Sequence, residues 1–158
     1  MTEEKWRTTI ASSLDWEQAH ASIDSAVKGL PPELRGKRPD NFPHSVWELV
    51  EHVRLAQRDL LDFMTLPTYR ELEWPQDYWS KDVAPPSDAA WKDSLAAIRR
   101  DRNALAELAT DLDRDLSEKI PRGTGQTYLR TLLVAIDHTS YHVGQIVAVR
   151  RLLNAWQS

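Results

Sequence analysis

The residues of this sequence most suited to chemistry are three histidines. His138 and His142 lie four residues apart in the apolar stretch DHTSYHVGQI, and His52 lies on an apolar stripe of an earlier segment. An α-helix turns about 100° per residue, so side chains four residues apart share one helix face and can converge on one point. Neutral imidazoles bind zinc, nickel, iron and manganese ions, and three protein ligands leave coordination positions open. The spacing therefore indicates a divalent-metal site if the two segments are neighbouring helices. The alternative is three core histidines that hydrogen-bond a hydroxyl or carbonyl group and bind no metal.

Three further side chains are spaced to reach such a site, namely Asp59, Gln145 and Tyr141. Asp59 follows His52 by seven residues, so it shares the same helix face and is a candidate for proton transfer. A surface or helix-pairing carboxylate is the alternative. Gln145 follows His142 by three residues and could hydrogen-bond a ligand or a bound water. Tyr141 stands in the same relation to the other histidine of the pair, with packing as the alternative role for its ring.

Helical periodicity and helix-ending residues divide the sequence into four predicted helices. They cover about residues 12 or 13 to 28, 45 to 66, 87 or 88 to 112, and 127 to 155. Ser45 and Glu48 have the spacing of a capping box, which places the start of the second helix. No segment rich in β-forming residues competes with these helices, so the sequence predicts an all-α fold, a four-helix bundle.

The connection between the second and third helices is unusually long. It contains roughly twenty residues, among them four prolines and the aromatic residues Trp74, Tyr78 and Trp79. A chain of that length can return along a helix of about 33 Å, so the second and third helices can run parallel, in an up-down-down-up bundle. The three aromatic side chains could cover the metal cavity and contact a substrate, or they could fasten the connection to the helices.

Composition excludes several classes of function. The chain has 158 residues, and we expect residues 1–158 to form one helical domain. The absence of cysteine excludes zinc ribbons, iron–sulfur clusters and thiol nucleophiles. The net charge is −4 and no basic block is present, so nucleic acid is not an expected partner. No apolar run is long enough to cross a membrane and the first residues lack the apolar core of a signal peptide, so a cytoplasmic location is expected.

The segments SVWELVEHVRLAQRDLL, WPQDYW and DHTSYHVGQIVAVRRLL, in this order and spacing, resemble the DinB-like family of bacterial metalloproteins. The resemblance covers about residues 12 to 156. It implies an up-down-down-up bundle that holds a divalent cation between the second and last helices. The ligands that it implies are His52, His138 and His142.

The resemblance also narrows the expected function. Some members of the family are transferases that use a low-molecular-weight thiol such as mycothiol or bacillithiol. We therefore expect a metal-dependent enzyme that acts on a small molecule, either a thiol-dependent S-transferase or a hydrolase. Thr139 replaces the glutamate of the H-E-x-x-H motif, so a protease of the zincin type is not expected. The alternative is a metal-binding stress or interaction protein without turnover that forms a helical homodimer, for which the tryptophans at positions 6, 16 and 156 could supply the surface.

Overall fold

The computed structural model describes residues 2–156, which form five α-helices and no β-strand. The helices are α1 (Glu3–Ser13), α2 (Ile23–Val27), α3 (Val46–Thr65), α4 (Asp88–Thr110) and α5 (Tyr128–Leu152). Short 3-10 turns cover Pro32–Leu34 and Gln76–Tyr78. The prediction of an all-α fold is confirmed. No helix within the described residues is both long enough and apolar enough to cross a membrane.

Three helices begin where their capping residues predict. Ser45 accepts a hydrogen bond from the Glu48 backbone N–H, while the Glu48 carboxylate accepts one from the Ser45 N–H, so the capping box of α3 is complete. Ser87 and Thr127 each accept a hydrogen bond from the backbone N–H three residues later, at the starts of α4 and α5. These contacts satisfy N–H groups that have no partner within the helix. The predicted bounds of these three helices are therefore correct to within a few residues.

The predicted first helix, from residue 12 or 13 to residue 28, is wrong. Helix α1 ends at Ser13, and α2 begins only after Ser22. The Ser22 side chain accepts a hydrogen bond from the Ser25 N–H, which makes it a helix cap and not an interior residue. Glu3 and Glu4 occupy the first turn of α1, where acidic side chains favour a helix start. The N-terminal part therefore contains two helices where the sequence predicts one.

Helix α3 packs against both α4 and α5, and α1 packs against α4. Ser94 of α4 donates a hydrogen bond to Glu51 of α3, and Gln57 of α3 donates to the Ile98 carbonyl of α4. Later residues of α3 thus contact later residues of α4. The order is reversed between α3 and α5, because His52 contacts His138 whereas Arg122, just before α5, donates to the carbonyl of Phe63 near the end of α3.

The connection between α3 and α4 runs back along α3. Tyr69 and Tyr78 both donate to Asp59, and further along, Ser45 at the start of α3 donates to the Val83 carbonyl. This path carries residues 76 to 79 over the middle of α3. The buried apolar residues form two clusters, and the histidine pair of α5 lies in the sequence between their members Ala135 and Val143.

Candidate metal centre

Helices α3 and α5 bring the three predicted histidines together. One ring nitrogen from each of His52, His138 and His142 lies within 4.8 Å of the others. The Nε2 atoms of His52 and His138 are 3.0 Å apart. His52 and His142 are buried and His138 is half-buried. Nitrogen atoms this close can share one metal ion.

Hydrogen bonds to the rings of His52 and His142 determine which ring nitrogen of each is free to bind a metal. His52 Nδ1 lies 2.7 Å from the Tyr78 carbonyl oxygen, which can only accept, so Nδ1 carries the proton and Nε2 keeps its lone pair. His142 Nδ1 lies 2.7 Å from Gln145 Oε1, and the Gln145 amide nitrogen donates to the Tyr141 hydroxyl at 3.3 Å. His142 Nδ1 is therefore the donor to Gln145. Metal-binding histidines usually donate their second ring N–H to an oxygen in this way, so the two rings fit a metal site.

All three imidazoles are held in the neutral form that binds metals. Burial, together with the neighbouring rings of His142 and His52, lowers the pKa of His138 to about 3. Burial likewise lowers the pKa of His142 to about 4. The pKa of His52 is also lowered, mainly by burial. A metal ion would therefore not compete with protons for these nitrogens near neutral pH.

Two of the three aromatic residues predicted to cover the site contact His52. The Trp79 ring stacks on His52 with centroids 4.0 Å apart, and the ring of His44 stacks on Trp79 with centroids 4.2 Å apart. Tyr78 contacts His52 through its backbone carbonyl. Trp74 is 68% exposed and its ring is 6.3 Å from that of His52. The stack of His44 and Trp79 covers one face of the His52 ring.

Asp59 is not a member of the histidine group, although it lies on the same helix as His52. Its two carboxylate oxygens accept hydrogen bonds from the hydroxyls of Tyr69 and Tyr78, each at 2.7 Å. Burial and the Asp59 charge raise the pKa of both tyrosines, so their hydroxyls stay protonated and remain donors. The contacts of Asp59 fasten the connection to α3. The sequence alternatives to proton transfer are a surface carboxylate and a carboxylate that pairs two helices, and this contact with the connection is neither.

The other two predicted neighbours of the histidines lie on the outer side of α5. Gln145 contacts His142, as its spacing predicts. Tyr141 is 64% exposed, and its ring packs edge-to-face on His142 with centroids 5.0 Å apart. Gln145 and Tyr141 therefore form a hydrogen-bonded pair between His142 and solvent.

A cavity of about 430 Å³ lies beside Tyr78, the residue whose carbonyl contacts His52. Its lining includes Asp59 and Tyr78 on the side of the connection, and Val134 one helical turn before His138. Arg122 and Arg130 also line it, and neither forms an ion pair with any residue in the described part of the chain. The volume is in the range of small-molecule sites. The cavity has no signature in the sequence, because its walls come from four separate segments.

Comparison with known proteins identifies the family. No curated protein and no solved structure matches the chain. The family model of the DinB superfamily matches residues 15–146, a range that contains His52, His138 and His142. The match covers most of the 158 residues. The chain therefore belongs to the DinB superfamily.

Proposed function

We propose that this protein binds one divalent metal ion through His52, His138 and His142 and uses it to transform a small molecule. The observation that carries the proposal is the convergence of three neutral imidazole nitrogens within 4.8 Å of one another. The orientation of the His52 and His142 rings by oxygen acceptors supports it. Zinc, nickel, manganese and iron are the candidate metals.

The same proposal includes an up-down-down-up arrangement of the four longer helices, α1, α3, α4 and α5. Later residues of α3 contact later residues of α4, which supports a parallel pair. Arg7 of α1 donates to the Ala109 carbonyl near the end of α4, while Arg102 of α4 pairs with Asp15 just after α1, which supports an antiparallel pair.

When bound, a divalent ion with open coordination positions supplies a Lewis acid that lowers the pKa of a coordinated water to about 7 or activates a thiol. The residues of this chain would orient the metal ligands and exclude water from part of the site. The Tyr78 carbonyl and Gln145 hold the Nδ1 protons of two ligands, so that the lone pairs face one point. Trp79 excludes water from one face of His52. The exposed Tyr141 hydroxyl offers a hydrogen-bonding group beside the site.

The substrate we propose is a small organic anion, held in the cavity beside the site. Arg122 and Arg130 line that cavity, and arginine pairs well with carboxylate or phosphate oxygens. Phe63 and Val134 supply apolar wall for the remainder of the molecule. A thiol-dependent S-transfer and a hydrolysis are the two reaction types that fit a site with open coordination positions.

Elemental analysis tests the metal site directly. Untagged protein, purified without added metal or chelator, is compared with the His138→Ala variant and with His20→Ala, a matched change at an exposed histidine. We expect near-stoichiometric metal in the parent and in His20→Ala, and none in His138→Ala. Absence of metal in the parent, even after addition of zinc, nickel and manganese in turn, would return the histidines to the role of core residues.

A turnover screen then separates the reaction types. Metal-replete parent protein is assayed with several low-molecular-weight thiols paired with electrophiles, and separately with ester and amide substrates. S-transferase activity predicts consumption of thiol that depends on His138 and weakens in Arg130→Ala. Consumption of ester without thiol, with the same dependence on His138, would favour hydrolysis.

A non-catalytic helical dimer is the second candidate, and one observation favours it. Leu133, Tyr141 and Leu152 are exposed and lie within a stripe of about 100° on α5. Of the tryptophans first considered for this surface, only Trp16 is exposed, since the rings at positions 6 and 156 each lie under an arginine. This candidate predicts a dimer in sedimentation equilibrium that Leu133→Glu dissociates, whereas Leu112→Glu, at an exposed leucine just after α4, does not.

A further inference from the structure

A continuous chain of contacts joins Asp59 to the ring of His52. The Asp59 carboxylate accepts the Tyr78 hydroxyl hydrogen at 2.7 Å, and the Tyr78 carbonyl accepts the His52 Nδ1 hydrogen at 2.7 Å. The next residue, Trp79, stacks on the same imidazole with an angle of 3° between the ring planes. The side chain and the backbone of one residue, Tyr78, thus connect a carboxylate of α3 to a histidine two turns earlier on the same helix.

We propose that Asp59 is a positioning residue for the metal site, acting through Tyr78 on His52. The inference rests on the proposed function, since it concerns the affinity of the same three histidines for a metal ion. Asp59 fixes the place of the Tyr78 backbone, and the Tyr78 carbonyl fixes the His52 tautomer in which Nδ1 is protonated and Nε2 is free. Groups that orient metal ligands in this way are worth about 10- to 100-fold in metal affinity.

The carbonyl depends on Asp59 because it belongs to the connection and not to a helix of the bundle. Tyr78 ends the short turn Gln76–Tyr78, and the connection extends between the ends of α3 and α4. A carbonyl of a long connection has no helical ladder to hold it, so side-chain contacts must place it. Both carboxylate oxygens of Asp59 are used for that purpose, one on Tyr69 and one on Tyr78.

The two tyrosines provide a matched control. Each donates its hydroxyl to Asp59 at 2.7 Å, and each phenol is half-buried. Only Tyr78 also contacts His52, whereas the Tyr69 ring packs on Phe63 with centroids 5.2 Å apart. Loss of the Tyr69 hydroxyl removes the same kind of hydrogen bond from the same carboxylate but leaves the path to His52 intact.

The test measures zinc affinity by competition with a chromophoric chelator in the parent and in Asp59→Asn, Tyr78→Phe and Tyr69→Phe. We expect affinity to fall about 10- to 100-fold in Tyr78→Phe and Asp59→Asn and to stay near the parent value in Tyr69→Phe. Thermal unfolding followed by circular dichroism checks that each variant is folded. A general loss of stability would affect Tyr69→Phe and Tyr78→Phe alike, so it cannot produce this difference.

Nitrogen-15 NMR of the histidine rings in chelator-treated protein gives a second readout that needs no metal. The parent should show His52 with a protonated Nδ1 and a bare Nε2, and Tyr78→Phe and Asp59→Asn should show a mixture of tautomers. Unchanged zinc affinity together with an unchanged His52 spectrum in Tyr78→Phe and Asp59→Asn would overturn the inference and leave the metal site standing. A parent that binds no zinc would instead overturn the proposed function, while the tautomer measurement would still decide whether Asp59 positions His52.

Discussion

The indole ring of Trp79 lies flat against the imidazole of His52, with ring centroids 4.0 Å apart and planes 3° apart. His44 stacks on the same indole, so Trp79 is held between two imidazoles. Aromatic pairs contribute about 0.5–1.5 kcal/mol each beyond the area that they bury. The stack therefore stabilises the fold and also covers the candidate metal centre.

Replacing Trp79 with alanine should have two effects. The loss of two stacked pairs should lower the free energy of unfolding by about 1–3 kcal/mol, and the loss of buried indole area should add to this decrease, measured by urea denaturation. The same variant should lose most of the change in tryptophan fluorescence that accompanies zinc addition, because Trp79 is the indole in contact with a proposed ligand. Trp16→Phe, a change at an exposed tryptophan, should keep both the stability and the fluorescence response. A full zinc response in Trp79→Ala would show that another indole reports the metal.

The contact between Glu51 and Ser94 makes the packing of α3 against α4 sensitive to acid. Burial alone would raise the pKa of Glu51, but hydrogen bonds from Arg54 and Ser94 outweigh it and hold the pKa below its usual value. The unfolded chain then binds more protons than the folded one at low pH, so the stabilisation is complete above about pH 4.5 and is lost as the pH falls through the folded pKa.

Glu51→Gln should therefore lower the free energy of unfolding at pH 7 by about 1.5–3 kcal/mol, the range for a hydrogen bond to a charged group. The difference from the parent should shrink as the pH is lowered toward 3. Urea midpoints measured between pH 3 and 7 for both proteins check this, with the exposed Glu33→Gln as control. A difference that stays constant over this range would mean that the charge of Glu51 contributes nothing and that only its shape matters.

Local signals account for the parts of the fold that the sequence predicts well. The capping box of Ser45 and Glu48 involves residues three apart, so it specifies the start of α3 whatever the rest of the chain does. The three histidines could be selected because helical spacing places them on inward faces. Gln145 could be paired with His142 for the same reason, since the contact is within one helix turn.

The parts that the sequence could not predict depend on the path of the backbone between helices. The partner of His52 is a carbonyl of Tyr78, and carbonyl groups carry no sequence signature. The sequence placed Asp59 on the face of His52 correctly, yet its partners are two tyrosines that only the folded connection brings to it. The prediction for the N-terminal part is wrong because a capping serine and an exposed helix serine look alike in a sequence.

The contacts of Arg7 explain why the position of α1 cannot be predicted from the sequence. A charged residue is expected at the surface, but Arg7 is only 2% exposed. It donates to the carbonyl of Ala109, at the end of α4, and to the carbonyls of Asp111 and Arg114, which follow α4. The Ala109 carbonyl lies in the last turn of α4, where helix carbonyls lack partners within the helix, and the Asp111 carbonyl also accepts the backbone N–H of Arg114. Arg7→Met should lower the free energy of unfolding by about 3 kcal/mol, because three hydrogen bonds of about 1 kcal/mol each are lost. Arg130→Met, at an exposed arginine, should change it little, and equal losses in the two variants by urea denaturation would contradict the capping role of Arg7.

Two glycines should respond in opposite directions to substitution by alanine. At Gly36 an added Cβ would lie 2.2 Å from the Ala84 Cβ and 2.7 Å from its Cα, so two backbone segments approach too closely for any side chain. Gly36→Ala should therefore displace the connection near Val83 and destabilise the fold by about 1–3 kcal/mol, the range for overpacking.

At Gly144, inside α5, an added Cβ meets nothing within 4 Å. Gly144→Ala should raise the free energy of unfolding by about 0.5–1 kcal/mol, because alanine loses less backbone entropy than glycine on forming a helix. Thermal unfolding of the two variants in one buffer tests both signs, and a destabilised Gly144→Ala would mean that another chain packs on this face of α5 in solution.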